Sequence, residues 1–271
     1  MRRWFPPGLV AAALAAAAPL LAQDASGDSK VWHLEGLRSG FCVQFLLSPS
    51  SEALTDLPAG VRPIPASEVG DLHVSLKGVV EGQPEFAAWS PSRLCLNLID
   101  VVRTDAFTLA DRSGKHPQLF ATWTVTAALP GGAAGEVVLD LFANSDRLIR
   151  SARLAGHTVR EARLTVGKVP AEDENGTPST EDRIQIKVGK TIVTWDGHLA
   201  GDSVAVASPI ETVWTGTGTG KLTLAPTYAQ GMVGSLKVDG KDALAKSLRA
   251  SPTRFAGPAY RGGEGTVSLS R

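Results

Sequence analysis

The chain has 271 residues and 28.3 kDa, with 27 basic and 27 acidic side chains, 43% hydrophobic residues and 6% aromatics. This composition is globular and excludes wholesale disorder. A formal charge of zero leaves no basic footprint for nucleic acid and no polybasic patch for a membrane surface. Two cysteines cannot build a multi-disulfide mini-scaffold or a four-cysteine zinc site.

The N-terminus reads as an address. Met1-Arg2-Arg3-Trp4 is a short basic start, and Leu9 to Ala22 is a run of 14 residues made only of Leu, Val, Ala and one Pro. A charged start, a short apolar run and a small residue at its end define a secretory signal peptide. The run falls short of the roughly 20 residues needed to span a bilayer. Cleavage after Ala22 removes Arg2 and Arg3 and leaves 249 residues with 25 basic and 27 acidic groups. The Ala-, Gly- and Arg-rich composition points to a bacterium, hence to the periplasm or the exterior. No later segment reaches transmembrane length, and the few aromatics do not supply the girdles of an outer-membrane barrel. The expected organisation is a signal peptide, 1–22, and a single β-rich domain, 23–271.

The first strand expected is Phe41–Leu47. Ser48-Pro49-Ser50-Ser51 then caps a short helix over Glu52–Leu57, which Pro58 and Gly60 stop. Leu72, Leu76, Val79 and Val80 lie on one helical face. Phe86-Ala87-Ala88-Trp89 is a loop bracketed by Pro84 and Pro91, followed by a strand over Leu94–Val102. Cys42 and Cys95 both fall in strands, where alternation places Cys42 with Gln44 and Cys95 with Asn97. In an oxidising compartment two lone cysteines most simply pair, and neither has a charged neighbour in sequence to activate a thiol.

Strands follow at Phe107–Leu109, Phe120–Leu129 and Val137–Phe142. Ser145 starts a helix whose apolar face is Leu148, Ile149, Ala152 and Ala155, ended by Gly156. Val159–Lys168 returns as a strand. Residues 172–182 are polar throughout and read as an acidic flexible loop. Ile184–Val188 and Thr191–Trp195 make a hairpin around Gly189-Lys190. Val204–Ala207, Glu211–Trp214, Lys221–Leu224 and Met232–Val238 are further strands. Ala243–Leu248 is a short helix, and Thr253–Leu269 is a hairpin turning at 261–265. Strand, helix, strand thus occurs at 137–168 and again at 232–269, where Asp146, Leu148, Ser151 and Arg153 recur as Asp242, Leu244, Ser247 and Arg249. The pattern predicts a mainly β (α+β) chain, an antiparallel β-barrel or sandwich with two to four short helices.

Few motifs carry chemistry. Gly201-Asp202-Ser203-Val204 matches a GDSL esterase box loosely, but that box opens an α/β domain near its N-terminus. Val204-Ala205 stands where a trypsin-like protease needs two glycines. Gly220-Lys221 and Gly189-Lys190 lack the glycine five places earlier that a phosphate loop requires. The five histidines form no His-x-x-x-His pair, and the acidic loop lacks the EF-hand order of ligands. Trp195-Asp196-Gly197-His198 is the most site-like cluster, because a regular strand puts Asp196 and His198 on one face. Trp89, in its proline-bracketed loop, is the tryptophan placed to meet a ligand or a partner.

Leu46 to Pro65 runs as a strand, Ser-Pro-Ser-Ser, Leu54-x-x-Leu57-Pro58-x-Gly60 and a later Pro. This stretch resembles the opening of acetoacetate decarboxylase-like proteins. The strand–helix–strand at 137–168 is similar in order to their central segment. The resemblance implies a closed or conical β-barrel with an internal cavity. The family's catalytic feature is a Pro-Lys-Lys run whose first lysine forms a Schiff base. The corresponding stretch here is Gly156-His157-Thr158-Val159-Arg160-Glu161-Ala162, with no lysine, so the resemblance does not carry the decarboxylase activity over.

The expected function is therefore binding, without catalysis, cofactor or metal, of a small apolar or organic ligand in an internal cavity. Trp89, Trp195, Asp196 and His198 are the candidate ligand residues, and Cys42–Cys95 the disulfide. One alternative is a secreted enzyme, hydrolytic or metal-dependent, built on Asp196, His198 and Ser203. Another is an envelope structural or interaction module with an apolar patch around Phe86 and Trp89.

Overall fold

The computed structural model describes residues 30–70, 72–110, 118–172, 175–215 and 219–270. The signal peptide expected at 1–22 lies outside the described residues. No helix among the described residues is long and apolar enough to cross a membrane.

Among the described residues the chain is mainly β, with three short α-helices set into one 12-stranded sheet. The strands are β1 (Lys30–Leu47), β2 (Arg62–Pro63), β3 (Ser90–Arg103), β4 (Thr108–Ala110), β5 (Gln118–Ala128), β6 (Ala134–Ala143), β7 (Arg160–Glu172), β8 (Pro178–Val188), β9 (Thr191–Ala205), β10 (Ile210–Thr215), β11 (Thr219–Asp239) and β12 (Arg254–Ser270). The helices are α1 (Val74–Gly82), α2 (Asp146–Leu154) and α3 (Ala243–Ala250). The sheet runs β10-β6-β7-β8-β9-β11-β12-β1-β3-β5-β2, with β4 beside β3. Pairings β5–β6 and β10–β11 tie the path back onto itself, so the sheet folds over into sandwich-like layers. Pairing is antiparallel except for short parallel contacts of β6 with β7 and β10.

Two cores result, and they share strands. The first holds Phe41, Val43, Phe45, Leu94, Leu96, Trp123, Phe142, Ile186 and Trp195, with Leu244 and Leu248 of α3. The second holds Trp32, Leu34, Ile99, Phe120, Leu141, Trp214, Leu222 and Val267, with Leu148, Ile149 and Ala152 of α2. In β5, Leu119, Ala121 and Trp123 face the first core while Phe120 faces the second, the ordinary period of two. In β1 the core-facing parity changes along the strand. Trp32 and Leu34 point into the second core, and Phe41, Val43 and Phe45 into the first. The change occurs where Gly36 takes φ 69° and the register with β3 shifts between Leu37 and Ser39, as a bulge requires. The two strand–helix–strand segments that echo each other in sequence supply α2 to one core and α3 to the other.

Some expectations about elements change. The tail 253–269 is one strand: β12 stays paired with β11 from Ser270↔Thr219 to Ala259↔Gln230. Gly262 and Gly263 take positive φ without reversing the chain, because the ladder to β11 continues past them. Lys221–Leu224 and Met232–Val238 are two ends of the 21-residue β11. Of the strand expected at Val204–Ala207, Val204 and Ala205 are the end of β9. The acidic loop is shorter than 172–182, since Glu172 ends β7 and Pro178 opens β8. Residues 178–180 of that hairpin are exposed, so no apolar alternation marks them as strand. The helix expected at 52–57 is a single 3-10 turn, Glu52–Leu54, with Ser51 Oγ accepting from Ala53 N.

Candidate functional site

Cys42 and Cys95 are directly opposed across β1 and β3 and are joined as a disulfide. The face of the sheet that carries this disulfide is polar and buried. One rung along β3, Asn97 is paired through Gly40 to Tyr260 of β12. In the other direction, Arg93 pairs with Gln44, which in turn pairs with Phe255. On β5 the same face presents Thr122 opposite Cys95 and Thr124 opposite Arg93. Asn97, Thr122 and Thr124 are 1–2% exposed. This strip runs from Phe120 and Tyr260 at the second core to Leu46 and Phe255. There a third cluster, with Leu76 of α1 and Trp89, closes it.

Glycine makes the strip possible at one point. A Cβ at Gly40 would lie 3.2 Å from both Asn97 Oδ1 and Tyr260 Cβ. The missing side chain lets the Tyr260 ring lie over β1 beside Asn97.

The charges in the strip are committed to each other. Arg93 Nη2 lies 3.3 Å from Glu136 Oε1 on β6, with both side chains about four-fifths buried. Glu136 also accepts from Thr124 Oγ1 at 2.6 Å and Thr126 Oγ1 at 3.2 Å. Burial pushes the Tyr260 hydroxyl above its ordinary value, against the nearby Arg93 guanidinium, which pulls it down. The phenol therefore stays protonated. Gln44 Nε2 donates to Gly257 O at 2.8 Å. Two donors are left over: Arg93 Nε and Asn97 Nδ2 are buried with no hydrogen-bond partner among the described residues. A buried donor left unmade costs about 1–3 kcal/mol, so such groups mark a place where an acceptor belongs.

The residues singled out from sequence do not converge there. Trp195 is 2% exposed and packs at 5.5 Å from Phe41 in the first core. It is a core residue because Gly197 and Gly234, paired across β9 and β11, clear the space its indole fills. Asp196 points to the opposite face, where Arg183 grips both oxygens at 2.6 Å. Those hydrogen bonds hold its carboxyl below the ordinary range despite burial. His198 is exposed, and Ser203 is exposed five residues further along the same strand, about 17 Å away. Ser203 thus lies too far along the strand to share a site with Asp196 and His198. Trp89 is half-buried, meeting Phe86 edge-on at 5.0 Å in the third cluster. Phe86 and Trp89 are each partly buried by that packing. The large apolar side chains that are exposed include Val74, Val204, Tyr228 and Val233.

The stretch that lacks the lysine run has its own arrangement. Arg160 Nη1 lies 2.7 Å from Asp140 and its Nη2 3.4 Å from Asp242, the N-cap of α3. Arg160 also stands over the Phe142 ring at 5.5 Å. This triad joins α3 to β6 and β7.

The strip was missed although it left a trace. Gln44, Arg93 and Asn97 are polar residues inside otherwise apolar strand sequences, two of them already aligned with the cysteines. What alternation cannot reveal is that both faces of β3 are buried.

No family model matches the sequence, and no curated protein matches it. Among solved structures, the fold is similar to an acetoacetate decarboxylase-like enzyme from Sphingomonas wittichii RW1, at 10% identity and a TM-score of 0.46, covering 89% of this chain and 91% of that one. It is also similar to the enduracididine biosynthesis enzyme MppR with HEPES buffer bound, at 8% identity and a TM-score of 0.46, covering 90% and 85%. MppR complexed with pyruvate gives 9% identity and 0.46, covering 90% and 88%. The likeness is one of overall fold and transfers no residue's role to this chain.

Proposed function

We propose that the protein is an exported β-domain protein that binds a small organic acid on the buried strip flanking the disulfide. The observation that carries this reading is the pair of buried, unpartnered donors, Arg93 Nε and Asn97 Nδ2, on one face of β3. The Arg93 guanidinium is paired with Glu136 through Nη2, and its remaining Nε–H suits one oxygen of a carboxylate. The amide suits a second acceptor, such as a carbonyl or hydroxyl. The two residues are four apart, about 13 Å along the strand. Much of that span is covered by the length of the arginine side chain. Tyr260 and the disulfide offer apolar surface to the body of the ligand.

Binding is favoured over turnover because the strip's carboxylate is already occupied. Both oxygens of Glu136 accept hydrogen bonds from Thr124, Thr126 or Arg93, so no free base faces the donors. Export is supported by the apolar run Leu9–Ala22 and by the disulfide, which persists in oxidising compartments.

The test is a thermal-shift series with acetate, succinate and benzoate on the wild type, Asn97→Leu and Arg93→Met. Near a hundredfold excess over Kd, binding stabilises by about 2.7 kcal/mol, a rise of about 5–10 °C for a chain of this size. At least one acid should give a saturable rise that is lost in Arg93→Met and weakened in Asn97→Leu. No rise with any acid, or an equal rise in both variants, overturns the proposal.

A further inference from the structure

A second place on the molecule has a different chemistry. The turn after β1, Trp89 and the outer face of α3 enclose a cleft of about 210 Å³. Its floor is low because α3 presents Ala243 and Ala250 there. Trp89 is held in place: its carbonyl accepts from Ala66 N at 2.7 Å, and its ring is braced edge-on by Phe86. Hydroxyls line the opposite wall. Ser48 and Ser50 are bonded to each other at 2.9 Å, and Ser51 is bonded to Ser247 at 3.0 Å. A hydroxyl has one donor and two acceptor positions, so each of these pairs keeps donor and acceptor capacity toward the cleft. At the rim, Lys246 Nζ lies 2.9 Å from Glu52 Oε1, both side chains more than half exposed.

We propose that this cleft is a carbohydrate site that takes a single sugar ring. The Glu52–Lys246 pair decides the class of ligand. A free anion meets Glu52 and a free cation meets Lys246, so neither sign is favoured. A neutral ligand with vicinal hydroxyls satisfies both ends of the pair at once. The serines match such a ligand because they both donate and accept. A fixed indole offers the apolar surface on which the C–H face of a sugar ring rests. The volume lies below the roughly 300–1,000 Å³ of drug-sized pockets, which limits the occupant to about one ring. The acid-binding strip faces the interior, and its two donor residues, Arg93 and Asn97, take no part in the cleft; Trp89 alone stands at the boundary of both.

The test is saturation-transfer NMR on the full exported protein, with D-glucose and N-acetyl-D-glucosamine as probes titrated to tens of millimolar. At least one sugar should show saturable transfer in the wild type. Lys246→Ala, on an exposed side chain, should weaken it about tenfold, the worth of one hydrogen bond to a charged group. Ser50→Trp should fill the cleft and abolish it, and Arg93→Met should leave it unchanged. Absence of saturable transfer with both sugars overturns the assignment. So does transfer that survives Ser50→Trp and Lys246→Ala undiminished.

Discussion

The Cys42–Cys95 bridge gives the sharpest quantitative expectation. It closes a separation of 53 residues between strands that are already paired rung to rung. In the chain-entropy model, a loop of that length removes enough freedom from the unfolded chain to stabilise the fold by about 4 kcal/mol at 25 °C. For a chain of this size each kcal/mol moves Tm by about 2–4 °C. The double variant Cys42→Ala/Cys95→Ala should therefore melt about 8–16 °C below the oxidised wild type. The assay is circular dichroism across a thermal ramp, with the wild type measured oxidised and after dithiothreitol. Reduced wild type and double variant should melt close together, since both lose the same constraint. A drop smaller than about 4 °C, with the disulfide verified by a mass lower by two hydrogens, would refute the idea that the bridge acts by restricting the unfolded chain.

Further expectations follow from packing and charge. A Cβ on Gly197 would overlap the Val233 carbonyl oxygen and the Gly234 backbone. Gly197→Ala should then cost about 3 kcal/mol or more by urea titration, whereas Gly167→Ala, which meets nothing within 4 Å, should change little. Trp195→Ala should lose about 3–5 kcal/mol as a core truncation. His198→Ala, on an exposed side chain, should stay within about 0.5 kcal/mol; equal losses in the two would contradict the placement of Trp195. Burial raises the Asp140 carboxyl above its ordinary value despite Arg160. Its contribution to stability is therefore full at pH below the unfolded carboxylate value and is lost as pH rises through the higher folded value. Asp242 behaves in the opposite way. Burial opposes its ionisation, but the nearby Thr191 hydroxyl and hydrogen bonds from the Ala245 amide and Arg160 hold it below the ordinary range. Its contribution is present above that range and fades as pH falls. Asp140→Asn should consequently gain on the wild type in urea titrations as pH rises from below the ordinary carboxylate value through the raised folded value. A constant difference across that window would argue against the buried carboxyl.

The legible part of the fold was its local part. Leu148, Ile149, Ala152 and Ala155 announced the buried face of α2, and Gly156 its end, because a helix needs only neighbours in sequence to display its period. The disulfide was legible for a similar reason: two cysteines in two strands leave one pairing. The long strands were not. β11 and β12 carry Gly and Pro at their middles, residues that ordinarily weaken or end strands, and their ladders to each other and to β9 and β1 keep them extended. Trp89 was singled out by its bracketing prolines and Trp195 by its neighbours Asp196 and His198. Such local context cannot tell a core indole from a surface one when part of the clearance comes from a glycine on a different strand. Asp196 looked like a ligand because its partner, Arg183, lies across a hairpin, although only 13 residues away in sequence. The buried strip required knowing that β3 is covered on both sides, a property of the folded-over sheet that no single strand encodes.

The register of β1 has a consequence for how the chain reaches this state. Its neighbours are β3, close in sequence, and β12, which ends the described fold, with Lys30 opposite Leu269. Until the last strand is available, β1 keeps one row of backbone amides and carbonyls unanswered, and both cores stay open along the same seam. Pairings of such long range are slow to form, because the closure entropy of the whole chain precedes any reward. A chain that still lacks β12 has no complete core to commit to. Closure is then the final event of assembly. Until β12 is in place, β1 is held from one side only.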